Sequence, residues 1–385
     1  MKKVLYLLTG SDVGGAQRYV FDLVKHLPRE EFTSKILFGG SDARWLSNRV
    51  SPLFLYNDWF AVFELIGIFR RERPDIIHLN SSKAGVVGTL AAGVYKFLLT
   101  LNPKPYTLYP RIVFTAHGWV FNPTNYLSFP VRGLYILLHK IAARMQDAII
   151  CVSEYDRQLA LRCHIAPEAK LHAIRNGIDY TNLHFLDKVS ARTEILKRFP
   201  LPVANYQLPV TGVWIGSIGR LVKEKDYGTF IRAATQIPNA YFFIIGAGTE
   251  QKKLQVLCST FPVSDRMFFV PPTGTDARIL KAFDLFVLSS IKEGLPYTLL
   301  EAMAAQVPVV TTRIGGMTEV VGDGEAACGA MVPAADPHAL AAAITAALAH
   351  PDQTRQKAAR AKHKIIAELN VETMTAHTAR LYARL

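Results

Sequence analysis

Two glutamates bracket a turn in the stretch IKEGLPYTLLEAMA, residues 291–304. Glu293 precedes Gly294-Leu295-Pro296, and Glu301 lies further along the helix that the pattern predicts beyond the turn. A carboxylate accepts paired hydrogen bonds from a vicinal diol. The first amides of a helix have no partner inside it and favour an anion such as phosphate. The spacing predicts Glu293 and Leu295 in the loop and Pro296 at the first helical position, where a missing N–H costs nothing. The amides of Tyr297 and Thr298 then point out of the helix start. Two acids that hold diols on either side of a phosphate pair suit a sugar, a diphosphate and a ribose. The plainer alternative is a capped helix with one buried, satisfied glutamate.

Four further stretches follow apolar runs in the same manner. In IGSIGRLVKEKDYGTF, Arg220 and Lys225 offer fixed cations for a diphosphate that gains charge as it departs; a solvated charge run is the other reading. In FIIGAGTE, Gly246 and Gly248 leave room for a base or ribose, although Gly-x-Gly alone is unspecific. In TAHGW, His117 stands where a strand should end, placed to donate a hydrogen bond to a sugar hydroxyl or to stabilise a charge. A structural histidine bonded to backbone fits the same position. In TGSDVGGAQRYV, Gly14 and Gly15 allow close backbone approach to a ligand, and a plain strand-to-helix turn accounts for them equally well.

The elements that must position these residues are legible as continuous apolar runs, the mark of parallel strands buried on both faces. Runs at 4–8, 35–38, 76–79, 112–115, 148–152 and 171–174 alternate with helical stretches such as 17–26. The scheme repeats at 213–217, 241–245, 267–270, 285–288, 308–311 and 330–332, with a helix over 228–235. Such alternation predicts an α/β protein of two doubly wound parallel sheets, with ligands bound outside the carboxyl ends of the strands. At 385 residues, two domains are expected. Prolines and polar residues within 181–210 mark a linker or domain edge.

The net charge is +13. No zinc finger, RNA-binding aromatic motif or basic zipper accompanies it, which argues against a nucleic-acid partner. Basic and apolar residues are interleaved in FELIGIFRRERP and FPVRGLYILLHKIAARM. That pattern suits an anionic membrane surface, or amphipathic helices packed on a sheet with a solvated basic face. The apolar stretch 84–101 reads as a buried or interfacial helix rather than a span, since Lys96 interrupts it and small residues fill its first half. Four scattered cysteines without CxxC pairing argue against a zinc site or disulfides and fit a reducing cytoplasm. The opening MKKVLYLLTG reads as a first buried strand rather than a secretory signal.

Taken together, EGLPYTLLEAMAAQVPVVTTRIGG, GRLVKEKD, IIGAG, TAHG, CVSE, IRNGID and GGAQRYV resemble, in order, a retaining glycosyltransferase of the GT-B fold, family 4. The glutamate pair with its flanks is specific; the glycine loops are not. The resemblance implies two Rossmann-like domains facing a central cleft. Residues 1–185 would bind the acceptor and 186–365 the nucleotide sugar, with a final helix over 366–385 packing back on the first. It implies Arg220 and Lys225 on the diphosphate, Glu293 on the donor sugar, Glu301 on the ribose, His117 beside the transferred sugar and Gly14–Gly15 closing over the donor. It implies retention of anomeric configuration by front-face attack, with no metal or other cofactor required. Gln17 replaces the Glu common after GGA, and Pro271–Pro272 stand in a turn near the base where a Gly is common. Uridine is the expected nucleoside of the donor, a UDP-sugar, by family frequency. The expected setting is bacterial surface-polysaccharide or lipopolysaccharide assembly at the cytoplasmic face of the membrane, with a glycan or lipid-linked glycan acceptor. A sugar-nucleotide 2-epimerase of the same fold is the alternative, separable by product analysis without acceptor. A glycoside hydrolase using the two glutamates is disfavoured by the adjacent cations, and a non-enzymatic nucleotide-binding protein by the full set of expected ligand residues.

Overall fold

The computed structural model describes residues 1–9, 14–39, 56–101, 109–199 and 211–385. It divides into two compact units. One comprises Met1–Asn176 with Val371–Leu385, the other Gly177–Asn370.

The first unit is built on a six-stranded parallel sheet of β1 (Lys2–Leu8), β2 (Phe32–Phe38), β3 (Ile76–Leu79), β4 (Arg111–Ala116), β5 (Ala148–Cys151) and β6 (Leu171–Ala173). The spatial order is β2-β1-β3-β4-β5-β6. Its helices are α1 (Gly15–His26), α2 (Tyr56–Glu72), α3 (Ser82–Leu101), α4 (Phe129–Met145) and α5 (Glu154–Arg162). Strand side chains alternate between faces. Leu5, Leu7, Ile77, Leu79, Ile112 and Phe114 join α2, α3 and α4 in one apolar core. Helix α3 is long and apolar enough to span a membrane by composition alone, yet its glycine-rich first half lies tight on the sheet. A Cβ on Gly88 would come within 2.6 Å of Leu79 and 2.9 Å of Leu7.

The second unit repeats the plan with β7 (Trp214–Ile218), β8 (Tyr241–Ile245), β9 (Met267–Val270), β10 (Leu285–Leu288), β11 (Val309–Thr312) and β12 (Ala330–Val332), ordered β12-β11-β10-β7-β8-β9. Its helices are α6 (Lys188–Lys197), α7 (Tyr227–Ala234), α8 (Gln251–Ser259), α9 (Tyr297–Ala304), α10 (Met317–Val321), α11 (Pro337–Ala349) and α12 (Pro351–Ala367). The segment expected as a linker carries α6, whose Arg192 is buried beneath Trp214 at 4.7 Å and bonded to Asp284 at 2.8 Å. Asp284 also accepts from the amide of Trp214, so this buried cation locks the start of β7. The rest of the expected linker, 200–210, lies outside the described residues.

After α12 the chain rejoins the first unit as α13 (Val371–Arg384), packed beside α1. Tyr382 is fully buried there, and the Lys2 Nζ donates to its carbonyl at 2.7 Å.

Candidate active site

Both sheets have one point where successive connections run in opposite directions, and a crevice forms there at the carboxyl ends. In the second unit this point lies between β7 and β10. The loop after β7 carries Arg220 and Lys225; the loop after β10 carries Ser289, Ser290 and Glu293. The two loops are laced together. The Ile291 amide donates to the Glu224 carbonyl at 2.9 Å, and Ser289 Oγ to the Lys225 carbonyl at 3.0 Å. Lys225 Nζ then meets Glu293 Oε1 at 2.5 Å, and Ser290 Oγ donates to the same oxygen at 2.9 Å. Both bonds engage Oε1, which leaves Oε2 for a ligand hydroxyl. The side chains of Lys225 and Glu293 are 15 % and 14 % exposed, so the pair faces an opening rather than the core.

The loop is held from behind. Thr312 Oγ1 donates to the Ser290 carbonyl at 2.5 Å, and the Gly316 amide to the Gly294 carbonyl at 2.7 Å. Gly315 has φ +49°, and a Cβ there would lie 2.1 Å from the Glu293 carbonyl oxygen. A side chain at 315 would therefore displace the loop that carries the acid.

Helix α9 begins one residue later than expected. Pro296 is the N-cap, in extended conformation, and offers no side-chain cap. The opening amides at Tyr297 and Thr298 thus have no acceptor within the helix. Thr298 Oγ1 is buried without a hydrogen-bond partner among the described residues. Leu295 is buried, and Glu301, one turn below the helix start, is 8 % exposed.

Arg220 is exposed and makes no ion pair among the described residues, so its guanidinium remains available to an anion. Gly246 and Gly248 have a structural explanation beyond the one read from sequence. A Cβ on Gly246 would sit 1.9 Å from the Gly219 carbonyl oxygen, and one on Gly248 2.4 Å from that of Leu221. The glycines let the β8 loop press on the β7 loop, and the Leu221 amide donates to the Ala247 carbonyl at 2.9 Å across this contact.

In the first unit the switch point lies between β1 and β3. Three elements meet near it: α1, whose N-cap is Gly14 and first residue Gly15; Asn80 after β3; and His117 after β4. Residues 10–13 of the glycine loop lie outside the described residues. The Tyr19 ring of α1 stands edge-on to the His117 imidazole, centroids 4.9 Å apart. Asn80 Nδ2 donates to the His78 carbonyl at 3.1 Å, which turns Oδ1 toward His117 Nε2 at 3.4 Å. This assigns the proton to Nε2 and leaves Nδ1 as an acceptor. Burial pushes the His117 imidazole down to about 3. It is neutral near pH 7, so its role is hydrogen bonding rather than that of a cation. The loop beyond it is tied down by Trp119, whose Nε1 donates to the Asp156 carbonyl at 2.9 Å. Asp156 in turn completes the N-cap of α5 with Ser153, which explains CVSE as a capping motif.

The structure thus groups Lys225, Ser290 and Glu293 in one unit and Tyr19, Asn80 and His117 in the other. Ser290, Tyr19 and Asn80 were not singled out from sequence; only their positions just after strands, or on the helix that follows one, could have pointed to them. Among the described residues no group of three or more His, Cys, Asp or Glu is arranged to hold a metal ion.

Two family models match, Glycosyltransferase Family 4 over residues 13–182 and Glycosyl transferases group 1 over 204–364. The chain belongs to glycosyltransferase family 4. It is an enzyme of the GT-B fold. Its relatives include the Escherichia coli UDP-Gal:alpha-D-GlcNAc-diphosphoundecaprenol alpha-1,3-galactosyltransferase, 26% identical over 323 residues, 79% of this chain and 77% of that one. The Escherichia coli O-antigen biosynthesis glycosyltransferase WbnH is 23% identical over 330 residues, 83% of this chain and 84% of the relative. The fold matches HepE of Anabaena, solved with UDP and glucose, with a TM-score of 0.78 over the whole of both chains at 20% identity.

Proposed function

We propose that this family 4 enzyme transfers a hexosyl group from a UDP-sugar to a glycan or lipid-linked glycan acceptor, with retention, in bacterial surface-polysaccharide or lipopolysaccharide assembly. The observation that carries the reading is the 26% identity, over most of both chains, to a transferase named for a UDP-Gal donor and a diphosphoundecaprenol-linked acceptor. The same comparison favours transfer over the epimerase alternative. The second unit is assigned the donor and the first the acceptor.

In this mechanism the donor diphosphate meets Arg220, Lys225 and the positive end of the α9 dipole at its first turn. These donors are in place before charge develops on the leaving group, which is where fixed dipoles and cations lower a barrier most. They meet the developing charge without a metal. Glu293, fixed through Oε1, holds the donor sugar through Oε2; Glu301 holds the ribose. His117 lies beside the transferred sugar as a neutral hydrogen-bonding group, and Gly14–Gly15 close over the donor. The departing phosphate oxygen takes the proton of the acceptor hydroxyl as the new glycosidic bond forms on the same face.

We further place the enzyme at the cytoplasmic face of a membrane. Helices α2, α3 and α4 pack side by side. Along them Trp59, Phe60, Phe63, Phe97, Leu101, Phe129, Leu137 and Ile141 are exposed, with Arg70 and Arg144 exposed among them. Aromatic residues and cations on one surface suit an anionic headgroup layer.

Thermal stabilisation by UDP, GDP, ADP and CMP tests the donor assignment. Selective stabilisation by UDP, lost in Arg220→Ala, is expected. A greater response to another nucleotide overturns the choice of base. Full transfer activity in a folded Glu293→Ala variant overturns the reading of the site.

A further inference from the structure

A chain of buried polar groups runs through the first unit on the sheet face opposite α2, α3 and α4. His78, 0 % exposed in the middle of β3, uses both ring nitrogens: Nδ1 lies 2.5 Å from Tyr382 Oη and Nε2 2.7 Å from Thr115 Oγ1. Tyr382 Oη is 3.3 Å from Tyr6 Oη, and Thr115 Oγ1 is 3.4 Å from Tyr19 Oη. Thr378 of α13, whose Oγ1 donates to the Met374 carbonyl at 2.9 Å, is placed to accept from Tyr19 Oη. Burial holds His78 down to about 3, so it is neutral and must donate through one nitrogen and accept through the other. Every hydroxyl along the chain must therefore point the same way round, and the chain has one connected arrangement in either sense. Its far end is Tyr19, whose ring contacts His117, and Asn80 joins the His78 backbone to His117 Nε2.

We propose that Tyr382 and Thr378 of α13 are positioning residues for His117: their hydroxyls fix His78, Thr115 and Tyr19, and so fix the ring and the amide that orient the His117 imidazole. This rests on the reading of His117 as the group beside the transferred sugar. Residues near the end of the chain thereby complete a site whose other parts come from β1, β3 and β4. A hydrophobic helix would have sufficed to cover the sheet. Burying Tyr6, Tyr19, His78, Thr115, Thr378 and Tyr382 together costs desolvation that only a satisfied network offsets, so the network ties the orientation of one member to all the others. Removing the Tyr382 hydroxyl leaves the buried His78 Nδ1 without its partner, so that the imidazole turns to find another, and removing that of Thr378 frees Tyr19 Oη to reorient.

The test uses the full-length enzyme with UDP-galactose and N-acetylglucosaminyl-diphospho-undecaprenol in vesicles, together with NMR of the enzyme carrying 15N-labelled histidine. Tyr382→Phe and Thr378→Val are expected to lower kcat roughly ten- to a hundredfold, since misplacement of a reacting-site group by about an ångström costs that much. KM for the donor should hold, and the His117 resonances, assigned by their loss in His117→Gln, should shift. Met374→Ala, which trims a buried apolar side chain of α13 and keeps the carbonyl that accepts from Thr378 Oγ1, is the control for simple loosening of the helix. It should lower the melting temperature while leaving kcat and the His117 resonances in place. Unchanged kcat and unchanged resonances in Tyr382→Phe overturn the proposal, as does an equal kcat loss in Met374→Ala. Full activity of His117→Gln would instead remove the underlying reading of His117, whereas the resonance shift in Tyr382→Phe would still report the link to α13.

Discussion

His139 sits on α4 inside an aromatic box, 2 % exposed, with ring centroids of Phe114, Trp119 and Phe121 at 5.6, 5.2 and 5.8 Å. Its Nε2 has no hydrogen-bond partner among the described residues, and burial lowers its pKa from 6.5 to about 4. Because the folded value is depressed, the unfolded chain binds the extra proton first. The stability contribution is complete above about pH 6.5 and drains away as the pH falls toward about 4. Between pH 7 and pH 5 the unfolded state gains about 2 kcal/mol from protonating this one side chain, at about 1.4 kcal/mol per pH unit below 6.5. His139→Phe keeps the aromatic packing and removes the titration. Any packing offset is common to both pH values and cancels. Urea unfolding at pH 7 and pH 5 should therefore show wild type losing about 2 kcal/mol more than the variant across that interval. His78 titrates alike in both proteins and drops out of the difference. Parallel pH dependences would refute the claim that His139 is neutral when folded.

Gly315→Ala should abolish most transfer activity without unfolding the protein, because its Cβ meets the Glu293 carbonyl. Gly322→Ala, at φ +67° with open space around it, should instead cost about 1 kcal/mol of stability and leave kcat intact. Arg192→Ala should destabilise the second unit by about 3 kcal/mol, read by chemical unfolding, since it strips a buried cation from Asp284 and Trp214. Phe129→Ser with Leu137→Ser should reduce co-flotation with phosphatidylglycerol vesicles while leaving UDP stabilisation unchanged; undiminished flotation would exclude α4 as the membrane contact.

Strand positions were legible because parallel strands covered on both faces must be largely apolar, as at Ala148–Cys151 and Leu285–Leu288. The loops after β7 and β10 could be read for the same reason: once the strands are placed, chemistry must follow their ends. Boundaries shifted where local geometry had more than one solution, as at Pro296, which suits the N-cap and the first helical turn alike. The pairing of Lys225 with Glu293 could not be seen, since it depends on β7 and β10 being neighbours, a fact of strand order rather than of pattern. The same holds for Tyr382, His78 and Thr115, three polar residues in otherwise apolar stretches. Their spacing in sequence carries no sign that they converge. The glycines of GAG were visible, but their packing against the preceding loop was not, because sequence shows a missing side chain without showing what fills its space.

The return of α13 to the first unit also dictates the order in which the protein can mature. Synthesis proceeds from the first residue, and domains usually close as they emerge. Here the opening 176 residues must wait for a helix made after the entire second unit. Until it arrives, His78 lacks the hydroxyl of Tyr382, and the sheet face opposite α2, α3 and α4 lacks the part of its cover that α13 supplies. The second unit, contiguous from Gly177 to Asn370, can finish first although it is made second. A nascent chain released early would thus present a completed second unit and an unfinished first one. Translation has to run through α13 before the enzyme can exist.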